Sequence, residues 1–408
     1  MGNILNIDRL TADAIDLLKE MIAIPSPSFE EEEVCNHICS WLEAKGIGHQ
    51  RKDNNIIAEH ITDPSRPTLM LCAHIDTVSP SPEYGFDPYT PDYKKVEETI
   101  SDIIGRQTDA SEIVAGLGSN DDGASAVAMI AVYRYFQHIS GDTGGVMDNP
   151  SQASLGPSPC GQGGSTVHHP TGISGNGNRP NLILVMTCEE ERSGKNGMTG
   201  LWPGLESKVD LAIIGEPTGM KAATSERGLL VIDATAHGTS GHAARNEGKN
   251  ALYIALDDIN RLREHTFSRI SPRMGKVNLN VTQISAGTAH NVIPDRCDFV
   301  IDIRPTERYT NEDILKELQD ICKSELRPRN LANRSSATFE DSPLQKAAEA
   351  LDIETFSSPT TSDWMRVSCD AIKMGPGESA RSHRKDEYVL VEELRNGIET
   401  YIEFINLL

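Results

Sequence analysis

Apolar residues follow two rhythms along this chain, and each predicts its own kind of element. From Thr11 to Met21, Glu30 to Lys45, Asp121 to Gln137, Ser342 to Leu351 and Val391 to Leu407 they recur at the spacing of a helix with one buried face. Elsewhere they form short unbroken runs: Thr68-Leu-Met-Leu-Cys-Ala73, Leu182-Ile-Leu-Val-Met186, Leu211-Ala-Ile-Ile214 and Ala371-Ile-Lys-Met374. A run of this length closed by turn residues predicts a strand covered on both faces, as in a parallel sheet flanked by helices. The expectation is an α/β fold around a mixed, largely parallel sheet.

Residues 222–328 carry a different order: strand Leu229 to Ala236, helix Asn250 to Glu264, strands Val277 to Ile284 and Cys297 to Ile303, helix Asn311 to Leu326. Two helices against an antiparallel sheet predict a small α+β domain of ferredoxin-like type. It would be inserted between two halves, 1–221 and 329–408, of the larger domain. From 139 to 180 Gly, Ser, Pro and Asn dominate and no periodicity survives, which predicts a disordered surface insertion with His168 and His169 solvated. A second insertion, 91–112, is charged and expected to be briefly helical.

A formal charge of −22 argues against nucleic acid and anionic membrane as partners, because phosphate binding needs clustered Lys and Arg. No apolar stretch approaches the roughly 18 residues of a membrane span. Asp8 and Arg9 stand where a signal-peptide core would run, so cytoplasmic residence is expected. The eight cysteines form no CxxC pair and read as core thiols. Cys35 and Cys39, at i and i+4, share one helix face, which favours packing over a zinc site with His37.

Three apolar runs stop at residues able to bind a divalent metal, His74 and Asp76, then Glu189, Glu190 and Glu191, then Glu216, and the fourth leads to His383. In an open α/β sheet, ligands collect beyond the carboxyl ends of the strands, so four such ends can meet in one crevice. Asp76, two residues from His74, could orient that imidazole. Asp121 and Asp122 lie in the Gly116–Gly123 turn, which fails as a dinucleotide fingerprint because Asp121 replaces the third glycine. A carboxylate there can bridge two cations about 3.5 to 4 Å apart, with Asp121 the first candidate and Asp122 the alternative. In Glu189-Glu190-Glu191 one acid can bind metal while its neighbour moves a proton, the division that metal-assisted hydrolysis needs.

With these residues in place the chain resembles the di-zinc amidohydrolases and exopeptidases that include acetylornithine deacetylase, succinyl-diaminopimelate desuccinylase, aminoacylase and carboxypeptidase G. The segments AHIDTV, GLGSND, EEERSGKNG, GEPTG, GTSGHAARNEGKNA, HNVIP and SHRKDE carry the likeness from end to end. The acetylornithine deacetylase-like subgroup, with GLGSND and CEEERSGKNG, is the nearest in motif. The resemblance implies a zinc-exopeptidase-like catalytic domain and a lid or dimerisation domain. It implies two zinc ions held by His74, Asp121, Glu191, Glu216 and His383, with Asp121 bridging and a cis peptide between Asp121 and Asp122. Asp76 is then a supporting catalytic residue. Aligning the triplet with the family's usual DEE makes Glu190 the general base, with Glu189 the alternative if the register slips by one.

The resemblance further implies that His242 reaches a partner subunit's site to stabilise the oxyanion, in a homodimer built through the inserted domain. Asn291, Arg227 and Arg381 resemble substrate-contacting positions. The Lys usual after the bridging Asp is missing at Asp122-Gly123, and the Pro usual after GHxA is replaced around Asn246, so the pocket's shape differs. The implied activity is hydrolysis of the amide bond of an N-acyl amino acid, of the N-acetyl or N-succinyl ornithine or citrulline class used in arginine biosynthesis. Rivals are a dipeptidase, tripeptidase or carboxypeptidase on the same metals, and a non-catalytic metal- or partner-binding protein on the same fold. Histidine and carboxylate donors suit zinc, cobalt and manganese alike.

Overall fold

A computed structural model of the chain describes residues 5–141, 179–245 and 247–408. Of the segment expected to be disordered, only 139–141 and 179–180 are among them; His168, His169 and Cys160 lie outside, as does Asn246. The α/β expectation holds. A large sheet runs in the order Gln50–Lys52, Asn55–His60, Asn181–Thr187, Thr68–His74, Leu211–Ile214, Asp370–Lys373, Ala222–Glu226, Ser336–Ala337, with Thr355–Ser358 also pairing on Ala222–Glu226. Its four central strands, the apolar runs of the sequence, are parallel to one another.

Alternation explains why those runs are unbroken. Leu69, Leu71 and Ala73 face a layer with Leu10, Leu17, Val127 and Ile398. Met70, Cys72, Ile183, Val185 and Ile214 face the other side with Met198, Leu201, Trp202 and Trp364. Successive side chains point to opposite faces, both covered, so the strand interiors are apolar. Helices Ile7–Ile22, Gly123–Gly141 and Val391–Ile405 supply the first layer.

Between Glu226 and Ser336 the chain builds a four-stranded antiparallel sheet in the order Asn278–Ala286, Arg296–Arg304, Leu230–His237, Glu325–Pro328. Helices Ala251–Glu264 and Asn311–Ile321 bury their apolar faces against it. Strand Ala222–Glu226, expected at the start of the inserted segment, hydrogen-bonds within the large sheet. The helix expected to reach Leu326 stops at Ile321, because Cys322 is extended and the chain turns back as a fourth strand. Asp258, fully buried, enforces that turn by accepting the Lys323 and Ser324 amides and the Ser324 hydroxyl.

The 91–112 insertion forms helix Tyr93–Ile104, capped by Asp92 and ended by Gly105 at φ 75. It packs with Phe86, Ile113 and Tyr388 in a separate small core. His37 pairs with Glu20 at 2.9 Å, while Cys35 sits in the main core. Among the described residues every cysteine is a free thiol, and no helix is long and apolar enough to cross a membrane.

Removing the Asp258 carboxylate leaves the Lys323 and Ser324 amides and the Ser324 hydroxyl without their acceptor. Asp258→Ala is expected to lower unfolding stability by about 2 to 3 kcal/mol in a denaturant titration. A change below about 0.5 kcal/mol would show that the turn holds without it.

Candidate metal centre

The four parallel strands end on one side of the sheet, and the loops beyond them converge. His74 closes its strand 3% exposed. Its Nδ1 lies 2.9 Å from the Asp76 carbonyl oxygen, which fixes Nδ1 as the protonated nitrogen and leaves Nε2 3.2 Å from Asp121 Oδ1. The second oxygen of the same carboxylate, Asp121 Oδ2, lies 3.7 Å from His383 Nε2. His383 Nε2 in turn meets Glu191 at 3.0 Å. Ligand atoms of His74, Asp121 and Glu191, and separately of His74, Glu190 and Glu216, lie within 4.8 Å of one another. All five residues expected to hold metal, and Glu190, thus share one crevice.

Backbone amides build the loops that present these groups. The Asp76 carboxylate, 1% exposed, accepts the Glu190 and Glu191 amides at 3.0 and 3.1 Å and the Ser28 hydroxyl at 2.6 Å. Asp76 was expected chiefly to orient His74; its carboxylate is 3.5 Å from Nδ1, so the backbone carbonyl makes the closer contact. Burial alone would raise the Asp76 carboxyl, but the bonds from His74, Ser28 and Glu190 hold it below its ordinary value. Glu387 performs the matching task on the glycine-rich turn, accepting the Gly118, Asn120 and Asp121 amides at 2.8 to 3.0 Å. Gly118, at φ 77, makes that tight turn. The Asp121–Asp122 peptide is cis.

The acidic triplet divides by its partners. Glu189, at φ 60 and 5% exposed, is held by Asn196 through its amide at 3.0 Å and side-chain Nδ2 at 2.6 Å. Gly194 is required beside it, since a Cβ there would collide with the Glu189 side chain. The Glu190 carboxylate has no hydrogen-bond partner among the described residues. Burial, followed by the charges of Glu216, Asp363 and Glu191, pushes its carboxyl well up. Burial, with Asp121 and Asp122 nearby, does the same to Glu216. Imidazoles and carboxylates crowded in this way form a donor set suited to divalent cations, whose charge would relieve the repulsion.

The other expected residues lie elsewhere. His242 and Asn291 come together on a small exposed ribbon, where His242 pairs with Val292 and the Ala243 amide donates to the Asn291 carbonyl. Neither is hydrogen-bonded to the crevice among the described residues. Both arginines have other partners. Arg227 donates to the Lys276, Arg304 and Met274 carbonyls, and Arg381 makes a two-pronged pair with Glu393 at 2.7 and 2.8 Å over the Tyr388 ring. Sequence reasoning missed Glu31, Asp363 and Glu387. Glu31 accepts the Phe29 and Glu189 amides, and Asp363 accepts the Thr187 hydroxyl. Glu387 lay within the SHRKDE segment, whereas Glu31 and Asp363 end no strand and carried no signal.

The comparisons with known proteins indicate a hydrolase. Residues 224–330 match the peptidase dimerisation domain of the M20 family. The chain is 22% identical to a succinyl-diaminopimelate desuccinylase from Wolbachia sp. subsp. Brugia malayi over 426 aligned positions, covering 96% of this chain and 92% of that protein. It is 29% identical to an acetylornithine deacetylase from Myxococcus xanthus over 240 residues, 52% of this chain and 61% of that protein. Among solved structures, a tripeptidase from Staphylococcus aureus superposes with a TM-score of 0.69 at 18% identity, covering 99% of both chains. A dinuclear metal-binding M20 peptidase from Bacillus subtilis does so at 0.65 and 14%, covering 98% of both. The chain is similar to members of the M20 peptidase family.

Several groups hold protons more tightly folded than unfolded. The Glu191 carboxylate raises His383 to about 9; burial raises Asp122 and Glu387 to about 8 and Asp363 to about 6. A raised value contributes stability at low pH that is lost as pH climbs through it. Asp76 and Asp121 have the opposite sign but titrate below the ordinary carboxylate range. Metal-free protein should therefore lose thermal stability between about pH 6 and about pH 9. Saturating divalent metal should flatten the decline; equal slopes with and without metal would contradict the assignment.

Proposed function

We propose that the protein hydrolyses the amide bond of an N-acyl amino acid, of the N-acetyl or N-succinyl ornithine or citrulline class, with two zinc ions. The observation that carries the reading is the placement of Asp121, whose two oxygens face two different imidazoles. That is the arrangement a carboxylate bridging two cations requires. His74 and Glu216 would hold one ion with Asp121, and Glu191 and His383 the other. Such a pair supplies Lewis acidity, polarising the scissile carbonyl and making water acidic.

Glu190 is the proton carrier in this reading. Its carboxylate is free of the bonds that immobilise Glu189, and its raised affinity for protons suits a group that takes one from water and returns it to the leaving amine. His242 stabilises the developing oxyanion from the partner subunit of a homodimer; its exposure on the ribbon leaves it free to reach across. The dimerisation-domain match supports that assembly. Work in the cytoplasm fits the free thiols.

Zinc-loaded protein should release acetate or succinate from acylated ornithine or citrulline and leave the corresponding free-amine dipeptides intact, measured by amine release. Preference for dipeptides would replace this reading with a peptidase. Glu190→Gln should lower kcat by about a thousandfold or more with two metals still bound by elemental analysis. Retention of most activity would move the base to another residue.

A further inference from the structure

Lys373 stands between the domain crossing and the acidic crevice. It closes the Asp370–Lys373 strand and is 1% exposed, while Glu226 is fully buried. Lys373 Nζ lies 3.1 Å from Glu226 Oε2 and donates to the Thr360 carbonyl at 3.1 Å. Glu226 ends the strand that leads out to the inserted domain. It accepts the hydroxyl of Ser336, on the returning strand, at 3.2 Å, and that of Ser362 at 2.7 Å. One carboxylate thus ties both crossings to one buried cation.

The contacts continue toward the site. Thr360 holds Lys373, Ser362 holds Glu226, and Asp363 Oδ2 accepts the Thr187 hydroxyl at 2.7 Å, three residues before Glu190. Lys373 also pairs in register with Ile214, two residues before Glu216. Burial would lower the Lys373 ammonium, but Glu226, Glu216 and Glu190 hold it above its ordinary value. Its charge works in return against the burial of Glu216.

We propose that Lys373 is a positioning residue with two attachments: it locks the domain crossing through Glu226, and it is the fixed counter-charge that keeps the acidic crevice assembled before divalent cations enter. The second attachment rests on the metal-dependent reading above. A lone structural ion pair behaves differently, since removing both of its charges would restore kcat and the wild-type response to zinc along with stability.

The test compares wild type, Lys373→Met, Glu226→Gln and the double variant by thermal unfolding, first stripped of metal and then with saturating zinc chloride. The double variant should recover most of the stability that either single variant loses. The zinc-induced rise in Tm should exceed that of wild type by at least about 2 °C in both variants lacking Lys373, and match wild type in Glu226→Gln. The double variant should keep a reduced kcat at unchanged KM. An equal zinc-induced rise in all four forms, or full return of kcat in the double variant, would reduce Lys373 to a structural partner of Glu226. Absence of any zinc-induced rise in wild type would overturn the metal centre itself, and the counter-charge with it. If Lys373→Met does not fold, the double variant carries the comparison.

Discussion

Mutual repulsion among carboxylates is the constraint that organises this molecule. Asp121, Asp122, Glu190, Glu191, Glu216 and Asp363 meet at the strand ends, several in surroundings dry enough to raise their affinity for protons. Such a set does not assemble unless the rest of the structure compels it. The compulsion comes from buried apolar strands on one side and from amide donors on the other. Asp76 gathers the loop of Glu190 and Glu191, Glu387 gathers the loop of Asp121, and Glu31 gathers that of Glu189. Acids that neutralise one another's neighbours through backbone N–H groups thereby position acids that face the crevice.

The arrangement separates two kinds of carboxylate that look alike in composition. Glu31, Asp76, Glu189 and Glu387 are satisfied by hydrogen bonds and have little left to offer a ligand. Glu190 and Glu216 are poorly satisfied and repel their surroundings. Groups with unmet electrostatic need are the ones that gain most from a cation or a proton.

The parallel core was legible because both-face burial leaves an uninterrupted apolar signature, and a strand end is where that signature must stop. His74, Glu191, Glu216 and His383 could be singled out for that reason, and the motif likeness grouped them. Glu31 and Asp363 were invisible, since a buried acid paired with amides or a hydroxyl from distant segments leaves no periodic trace. The overrun of the Asn311 helix has a similar cause: Leu326 continued a helical spacing, and only the Asp258 carboxylate, far off in the chain, shows why the backbone turns. The partners of Arg227 and Arg381 were not legible, because a guanidinium's bonds depend on carbonyls and acids that no short motif encodes.

Glu226 and Ser336 face each other across a single pair of antiparallel strands, so the inserted domain departs from and rejoins the large sheet at one spot. To the larger domain the whole excursion is equivalent to one very long hairpin loop. Its length and contents are therefore free to diverge without rethreading the sheet, and any tilt it undergoes pivots on a narrow neck. Whatever architecture grows on that neck, the strand ends opposite keep their order.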